Sequence, residues 1–199
     1  MQMFFASRVS SRKIPRCVLF VTCLAGALGT PVIGRASEQP KSFALADKSQ
    51  AEVDRKTLPP IDSNRLLAED RGRSKDQPLR FAIPVDVHFT LENSGTWQTL
   101  ADGSRIWRLR IYSPGAHSLN LAITRFDMTE GTKLWLYNPR HDEVQGPYSA
   151  RNRSAAGTLF TALIRGDEML VEVYVPAGTA KPTIEIGHVN QGYRGFGKN

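Results

Sequence analysis

The stretch Gly95-Thr-Trp-Gln-Thr-Leu-Ala-Asp-Gly-Ser-Arg-Ile-Trp-Arg-Leu-Arg-Ile-Tyr-Ser-Pro-Gly-Ala-His-Ser-Leu-Asn-Leu-Ala-Ile-Thr-Arg-Phe126 decides the fold. It reads as three β-strands joined by two turns. Ile106, Leu109 and Ile111 alternate with Arg105, Arg108 and Arg110, with one slip at Trp107. Such alternation gives one face to a core and one to water. Ala101-Asp-Gly-Ser104 closes the first turn and Ser113-Pro-Gly-Ala116 the second. Leu119, Leu121 and Ile123 then resume the period of two. A chain of such hairpins buries one sheet face against another, which predicts an all-β fold, an antiparallel β-sandwich.

The rest of the C-terminal part repeats the pattern. Val85, Val87, Phe89 and Leu91 alternate with Asp86, His88 and Thr90. Further short strands are expected at Lys133–Tyr137, Val144–Tyr148, Leu159–Ile164, Met169–Val175 and around Ile184, Ile186 and Val189. Eight or nine strands over residues 80–197 predict a jelly-roll-like sandwich domain.

Two segments precede it. Residues 1–16 are basic, Cys17 to Ile33 is largely apolar, and Gly34-Arg-Ala36 places small residues at the −3 and −1 positions. That order describes a secretory signal peptide over residues 1–36, cut between Ala36 and Ser37. A membrane anchor is the alternative, but the apolar run is short for a span and carries Gly and Pro. Residues 37–79 carry eight basic and eight acidic side chains and one aromatic, Phe43. Such a composition buries little surface and predicts a polar linker. Ala44–Lys56 can form a marginal helix, and Ile61–Asp70 a short one with Asp62 or Ser63 as N-cap.

The formal charge of the 199 residues is +7, from 26 basic and 19 acidic side chains. Five of the basic ones lie in residues 1–36, which contain no acid, so 21 then face 19 and the net is +2. That balance lacks the electrostatic footprint of a nucleic-acid binder. Both cysteines, Cys17 and Cys23, also lie in the leader. The remainder has no disulfide, thiol nucleophile or thiolate ligand.

Tests for chemistry return little. No Gly-Asp-Ser-Gly-Gly or Gly-x-Ser-x-Gly segment accompanies His88, His117, His141 or His188. His141-Asp-Glu143 is the densest group of ligand types and reads as a polar loop. Asp127, Asp142 and Glu143 follow no repeating calcium-loop spacing. No catalytic, cofactor or metal residue is therefore expected. Trp97, Trp107, Trp135, Tyr112 and Tyr137 sit inside strand patterns, where packing is the first reading and a sugar-stacking platform the second. Arg105, Arg108 and Arg110, with Arg125 nearby, read as one polar face that either docks an acidic partner or is simply solvated.

A series of motifs runs through the chain in order: Pro59-Pro-Ile-Asp62, Leu66-Leu-Ala-Glu-Asp70, Gly95-Thr-Trp97, Ile106-Trp-Arg-Leu-Arg-Ile111, Ser113-Pro-Gly-Ala116, Leu134-Trp-Leu-Tyr137, Glu172-Val-Tyr-Val-Pro176 and Val189-Asn-Gln-Gly-Tyr-Arg-Gly-Phe196. Together they resemble the N-terminal, non-catalytic region of secreted bacterial trypsin-like serine proteases of the lysyl endopeptidase type. In that family a linker and the trypsin-like domain follow the Gly-Tyr-Arg-Gly-Phe element. The catalytic histidine, aspartate and serine motifs have no matching position here. The resemblance implies a secreted leader plus pro-region without its protease, a truncated product or a fragment. It would partner a trypsin-like domain in cis or in trans and meet a membrane only during export. A stand-alone carbohydrate- or surface-binding sandwich is the alternative.

Overall fold

A computed structural model of the chain describes residues 38–45, 52–74 and 76–195. The expected leader and its cleavage site at Ala36 and Ser37 lie outside the described residues.

The elements, in chain order, are β1 (Arg55–Thr57), helix α1 (Ser63–Arg71), β2 (Ala82–Thr90), β3 (Thr96–Thr99), β4 (Arg105–Tyr112), β5 (Ser118–Asp127), β6 (Lys133–Tyr137), β7 (Val144–Tyr148), β8 (Leu159–Phe160), β9 (Ile164–Arg165), β10 (Glu168–Val175) and β11 (Thr183–Gly192). They form two sheets. The first has the order β1-β4-β10-β6-β7, with β3 sharing the β1 edge of β4; the second has the order β2-β11-β5-β8, with β9 also on β5. Every pairing is antiparallel except β1 on β4. The sandwich expected from the alternation is therefore present, with eleven strands among the described residues.

Burial decides which side of β4 faces the core. Trp107, Leu109 and Ile111 enter the main cluster with Met169, Val171, Val173 and Val175 of β10 and Leu134 and Leu136 of β6. Leu119, Leu121 and Ile123 of β5 and Ile184, Ile186 and Val189 of β11 meet them from the second sheet. Strand parity then puts Ile106, Arg108 and Arg110 together on the outer face. The slip expected at Trp107 is corrected: the alternation is regular, and Ile106 is the apolar residue that lies outside the core side.

That outer face is itself covered. Ile106, Trp135 and Leu170 on it are almost fully buried. Residues 38–45, with a single 3-10 turn over Lys41–Ala44, lie against it. The Trp135 indole donates to the Glu38 carbonyl at 3.0 Å, and Phe43 meets the Tyr137 ring edge-on at 5.0 Å.

The polar stretch before β2 is thus not a free tether where it is described. Residues 54–57 are extended rather than helical: Arg110 N–H donates to the Asp54 carbonyl and Leu58 N–H to that of Tyr112. Asp54 joins β1 to β3, because its backbone N–H donates to Thr96 Oγ1 and its carboxylate accepts from Gly95 N–H. Helix α1 forms as expected, with the Asp62 carboxylate capping Arg65 N–H at 2.9 Å. Leu66 anchors it at 3 % exposure, a burial worth about 2 kcal/mol.

Candidate functional site

The four arginines expected to share a face do not. Arg108 is buried, and one of its terminal nitrogens donates to Gln98 Oε1 at 2.8 Å. Arg110 pairs with Glu168, which also holds Arg55. Arg105 reaches the Thr179 carbonyl and lies over the Trp97 ring. Arg125 belongs to β5 in the other sheet and pairs with Asp127. Strand parity keeps Arg108 and Arg110 together but turns Arg105 to the opposite side, with Trp107, and the sequence pattern did not reveal that residues 38–45 cover part of the outer face.

The cross-strand row that contains Arg108 explains that cover. The register sets Glu172 beside Arg108 and Trp135. Glu172 is fully buried, and its Oε1 accepts from Lys41 N–H at 2.6 Å and Ser42 N–H at 3.2 Å. Its Oε2 accepts from the Tyr137 hydroxyl, which also lies 2.9 Å from Ser42 Oγ. A carboxylate can be buried when donors surround it in this way.

The histidines do not converge. His188 Nδ1 lies 2.8 Å from Asp86 Oδ1, and His88 Nδ1 lies 3.5 Å from Glu185. His141 stacks on Phe43 at 4.1 Å. Among the described residues, no group of three or more His, Cys, Asp or Glu side chains could hold a metal ion. The three acids considered for calcium are engaged separately. Asp127 holds Arg125 and Arg153, Asp142 holds Arg140, and Glu143 holds Arg165. The aromatics do not make a sugar platform, since Trp107, Trp135 and Tyr137 are at most 1 % exposed. Trp97 has its ring occupied by Arg105 and Lys181.

A built site lies at the end of α1. Asp70 Oδ2 accepts from the Tyr193 hydroxyl and from Arg194, both at 2.6 Å. Asp70 Oδ1 accepts from Arg80 Nε at 3.0 Å, and Arg80 also pairs with Glu69. The Tyr193 hydrogen bond, with Arg194 and Arg80 behind it, holds the Asp70 carboxyl down to about 2. Beside this clasp opens a cleft of about 410 Å³, lined by Arg73, Gln77, Leu79, Arg80 and Arg194 among others. Leu79 is 72 % exposed and Phe81 42 % exposed at the same place in the chain. The guanidiniums and the exposed apolar Leu79 around a satisfied carboxylate suit recognition of a surface. The sequence reading did not assign this site. Its only signal was that Leu66-Leu-Ala-Glu-Asp70 and Gly192-Tyr-Arg194, which meet here, both carried the resemblance.

No helix among the described residues is long and apolar enough to cross a membrane. No solved structure matches the chain. Residues 57–189 match the family described as the lysyl endopeptidase N-terminal domain, a span that takes in β1's last residue, α1 and nearly all of the sandwich. The chain belongs to the lysyl endopeptidase N-terminal domain family.

Proposed function

We propose that this chain is a secreted, non-catalytic accessory domain that binds a trypsin-like serine endopeptidase, as a pro-region assisting its folding or holding it latent. The observation that carries the reading is the family match over residues 57–189, which covers the sandwich together with the helix docked beside it. The leader pattern over residues 1–36 supports export, with cleavage between Ala36 and Ser37. The work is done by surface complementarity, and the hydrolytic chemistry belongs to the partner.

The contact is assigned to the cleft beside Asp70. Exposed Leu79, with Arg73 in the same cleft, gives the apolar anchor and guanidinium that interface centres favour. Arg194 of the Gly-Tyr-Arg-Gly-Phe element lines it, and in the family the chain resembles the linker to the protease follows that element. The test is to mix the purified full chain with the catalytic domain of a lysyl endopeptidase-type protease and to measure binding and residual activity. Binding at about micromolar Kd or tighter, weakened at least about tenfold by Leu79→Asp, is expected. No binding at that concentration overturns the reading. Binding untouched by Leu79→Asp moves the contact elsewhere.

A further inference from the structure

The cleft beside Asp70 is rich in positive charge that its own acids do not exhaust. Its lining carries three arginines, Arg73, Arg80 and Arg194, against one carboxylate, Asp70. Both Asp70 oxygens are taken, Oδ2 by the Tyr193 hydroxyl and Arg194 Nη2, and Oδ1 by Arg80 Nε. The neighbouring acids are engaged as well, Glu69 with Arg65 and Arg80, and Asp76 with the Ser74 hydroxyl. Two carbonyls in the last turn of α1, those of Glu69 and Asp70, accept from Gly72 N–H and Arg73 N–H, which blunts the negative end of the helix.

The arginines keep donors in reserve. Arg80 uses Nε and Nη2 on Asp70, Glu69 and the Tyr193 hydroxyl. Arg194 uses Nε on the Arg80 carbonyl and Nη2 on Asp70. Nη1 of each takes no part in the clasp. The Arg73 guanidinium makes no hydrogen bond or ion pair among the described residues, where only its backbone N–H is engaged. The side chains of Arg80 and Arg194 are 27 % and 29 % exposed. They are fixed in the cleft wall, and a donor fixed before binding loses less freedom when a partner arrives. Leu79 stands in the same lining at 72 % exposure. A guanidinium meets a carboxylate through paired, parallel N–H donors, a match that a neutral amide or a second cation does not offer.

We propose that this cleft is a carboxylate-binding site: it receives an aspartate or glutamate side chain of the protease partner, held by Arg73 and by the Nη1 donors of Arg80 and Arg194, with an apolar neighbour of that acid resting on Leu79. Asp70 is then a positioning residue. It holds two of the three guanidiniums and does not itself meet the partner. The same charge balance rejects a basic side chain, which would face three guanidiniums beside a carboxylate whose oxygens are already taken. The identity of the partner rests on the accessory-domain reading, whereas the chemistry of the cleft rests on its lining.

Two measurements on the full chain test this. The first titrates it with the peptide acetyl-Leu-Glu-Leu-amide, with its glutamine counterpart and with inorganic phosphate, each at millimolar concentration, and follows the backbone and Nε–H NMR signals of Arg73, Arg80 and Arg194. The glutamate peptide is expected to shift them saturably and to bind at least about tenfold more tightly than the glutamine peptide or phosphate. Arg73→Gln, which changes a side chain the fold does not use, is expected to remove most of that preference. Equal response to the two peptides, no response at all, or phosphate bound as tightly as the glutamate peptide overturns the inference. The second measures the Kd of the catalytic domain of a lysyl endopeptidase-type protease at low and high salt. Arg73→Gln is expected to weaken binding about tenfold and to flatten its salt dependence. Arg151→Gln, on the exposed turn after β7, is expected to leave both unchanged. Binding that Leu79→Asp weakens but Arg73→Gln and salt leave alone overturns the inference and keeps the accessory reading. A catalytic domain that does not bind, beside a glutamate peptide that does, fails the accessory reading and leaves carboxylate recognition standing.

Discussion

The Tyr193 hydroxyl donates to Asp70 at 2.6 Å, closing a contact between residues 123 apart in sequence. It ties the C-terminal end of α1 to the residue that follows β11. Asp70 carries three donors on two oxygens, so its ionised form is the one the fold prefers.

The consequence is an acid limb in the stability profile. The Asp70 pKa is lowered to about 2, first by the Tyr193 hydrogen bond. An acid whose folded value lies below its unfolded value of about 3.9 stabilises the fold fully above that value. The contribution is lost as pH falls through about 2. Urea unfolding of wild type and Asp70→Asn between pH 5 and pH 2 checks this. The wild type is expected to lose more stability than the variant over that window, and parallel profiles would refute the role given to Asp70.

Residues 38–45 are expected to be a structural part of the domain. Glu172→Ala removes the acceptor for Lys41 N–H, Ser42 N–H and the Tyr137 hydroxyl, all of which then face a dry cavity. Losing a buried, hydrogen-bonded charge costs about 3 kcal/mol. Deleting residues 38–45 leaves Glu172 without its two backbone donors and uncovers Trp135. The two changes act on one contact, so their combined cost should fall well short of the sum. Thermal unfolding of the two single changes and the double change measures it; full additivity would show that the strap and Glu172 act independently.

The sandwich was legible because β2 and β5 carry the period of two and clear turn residues separate the strands. What misled the reading of β4 was the assumption that one sheet face is wet. Ile106, Leu170 and Trp135 are apolar because the outer face is covered too, and a strand buried on both faces loses its clean alternation. The cover comes from residues whose composition is polar. Their docking is carried by backbone hydrogen bonds, as from Lys41 and Ser42 to Glu172, and by the single aromatic anchor Phe43. Backbone donors leave no trace in composition. The Asp70 clasp escaped for a related reason: both halves were visible as motifs, but nothing in one strand or helix period says which distant pair will touch.

Gly95 and Gly178 both adopt left-handed backbone, with φ of 73° and 72°. They should nonetheless respond differently to alanine. A Cβ on Gly178 meets nothing within 4 Å, so only the backbone preference is lost, about 1 kcal/mol. A Cβ on Gly95 would sit 2.3 Å from the buried Trp107 ring, which has no room to retreat. Gly95→Ala is expected to cost more than about 3 kcal/mol or to abolish folding. Denaturation midpoints of the two variants compare them, and equal costs would contradict the packing described around Trp107.

The three tryptophans should separate in fluorescence. Trp107 and Trp135 are at most 1 % exposed, while Trp97 is half-buried beneath Arg105 and Lys181. Acrylamide should therefore quench one fraction of the native emission, and Trp97→Phe should remove it. If quenching persists in that variant, Trp107 or Trp135 is open to solvent.

Tyr137 adds an alkaline limb at the opposite end of the profile. Burial, and then the charge of Glu172, push its phenol well above the ordinary value of about 10. The folded state therefore holds the proton more tightly than the unfolded state. The stability this gives is complete below about pH 10 and is lost as pH rises towards the folded value. Tyr137→Phe removes the titrating group along with its hydrogen bonds to Ser42 and Glu172, at a cost of about 1–2 kcal/mol at neutral pH. Above pH 10 the wild type should lose stability faster than the variant, so the gap between them narrows. Urea unfolding of both proteins from pH 8 to pH 11 reads that gap. A constant difference would place the phenol in solvent-like surroundings and contradict the sealed outer face.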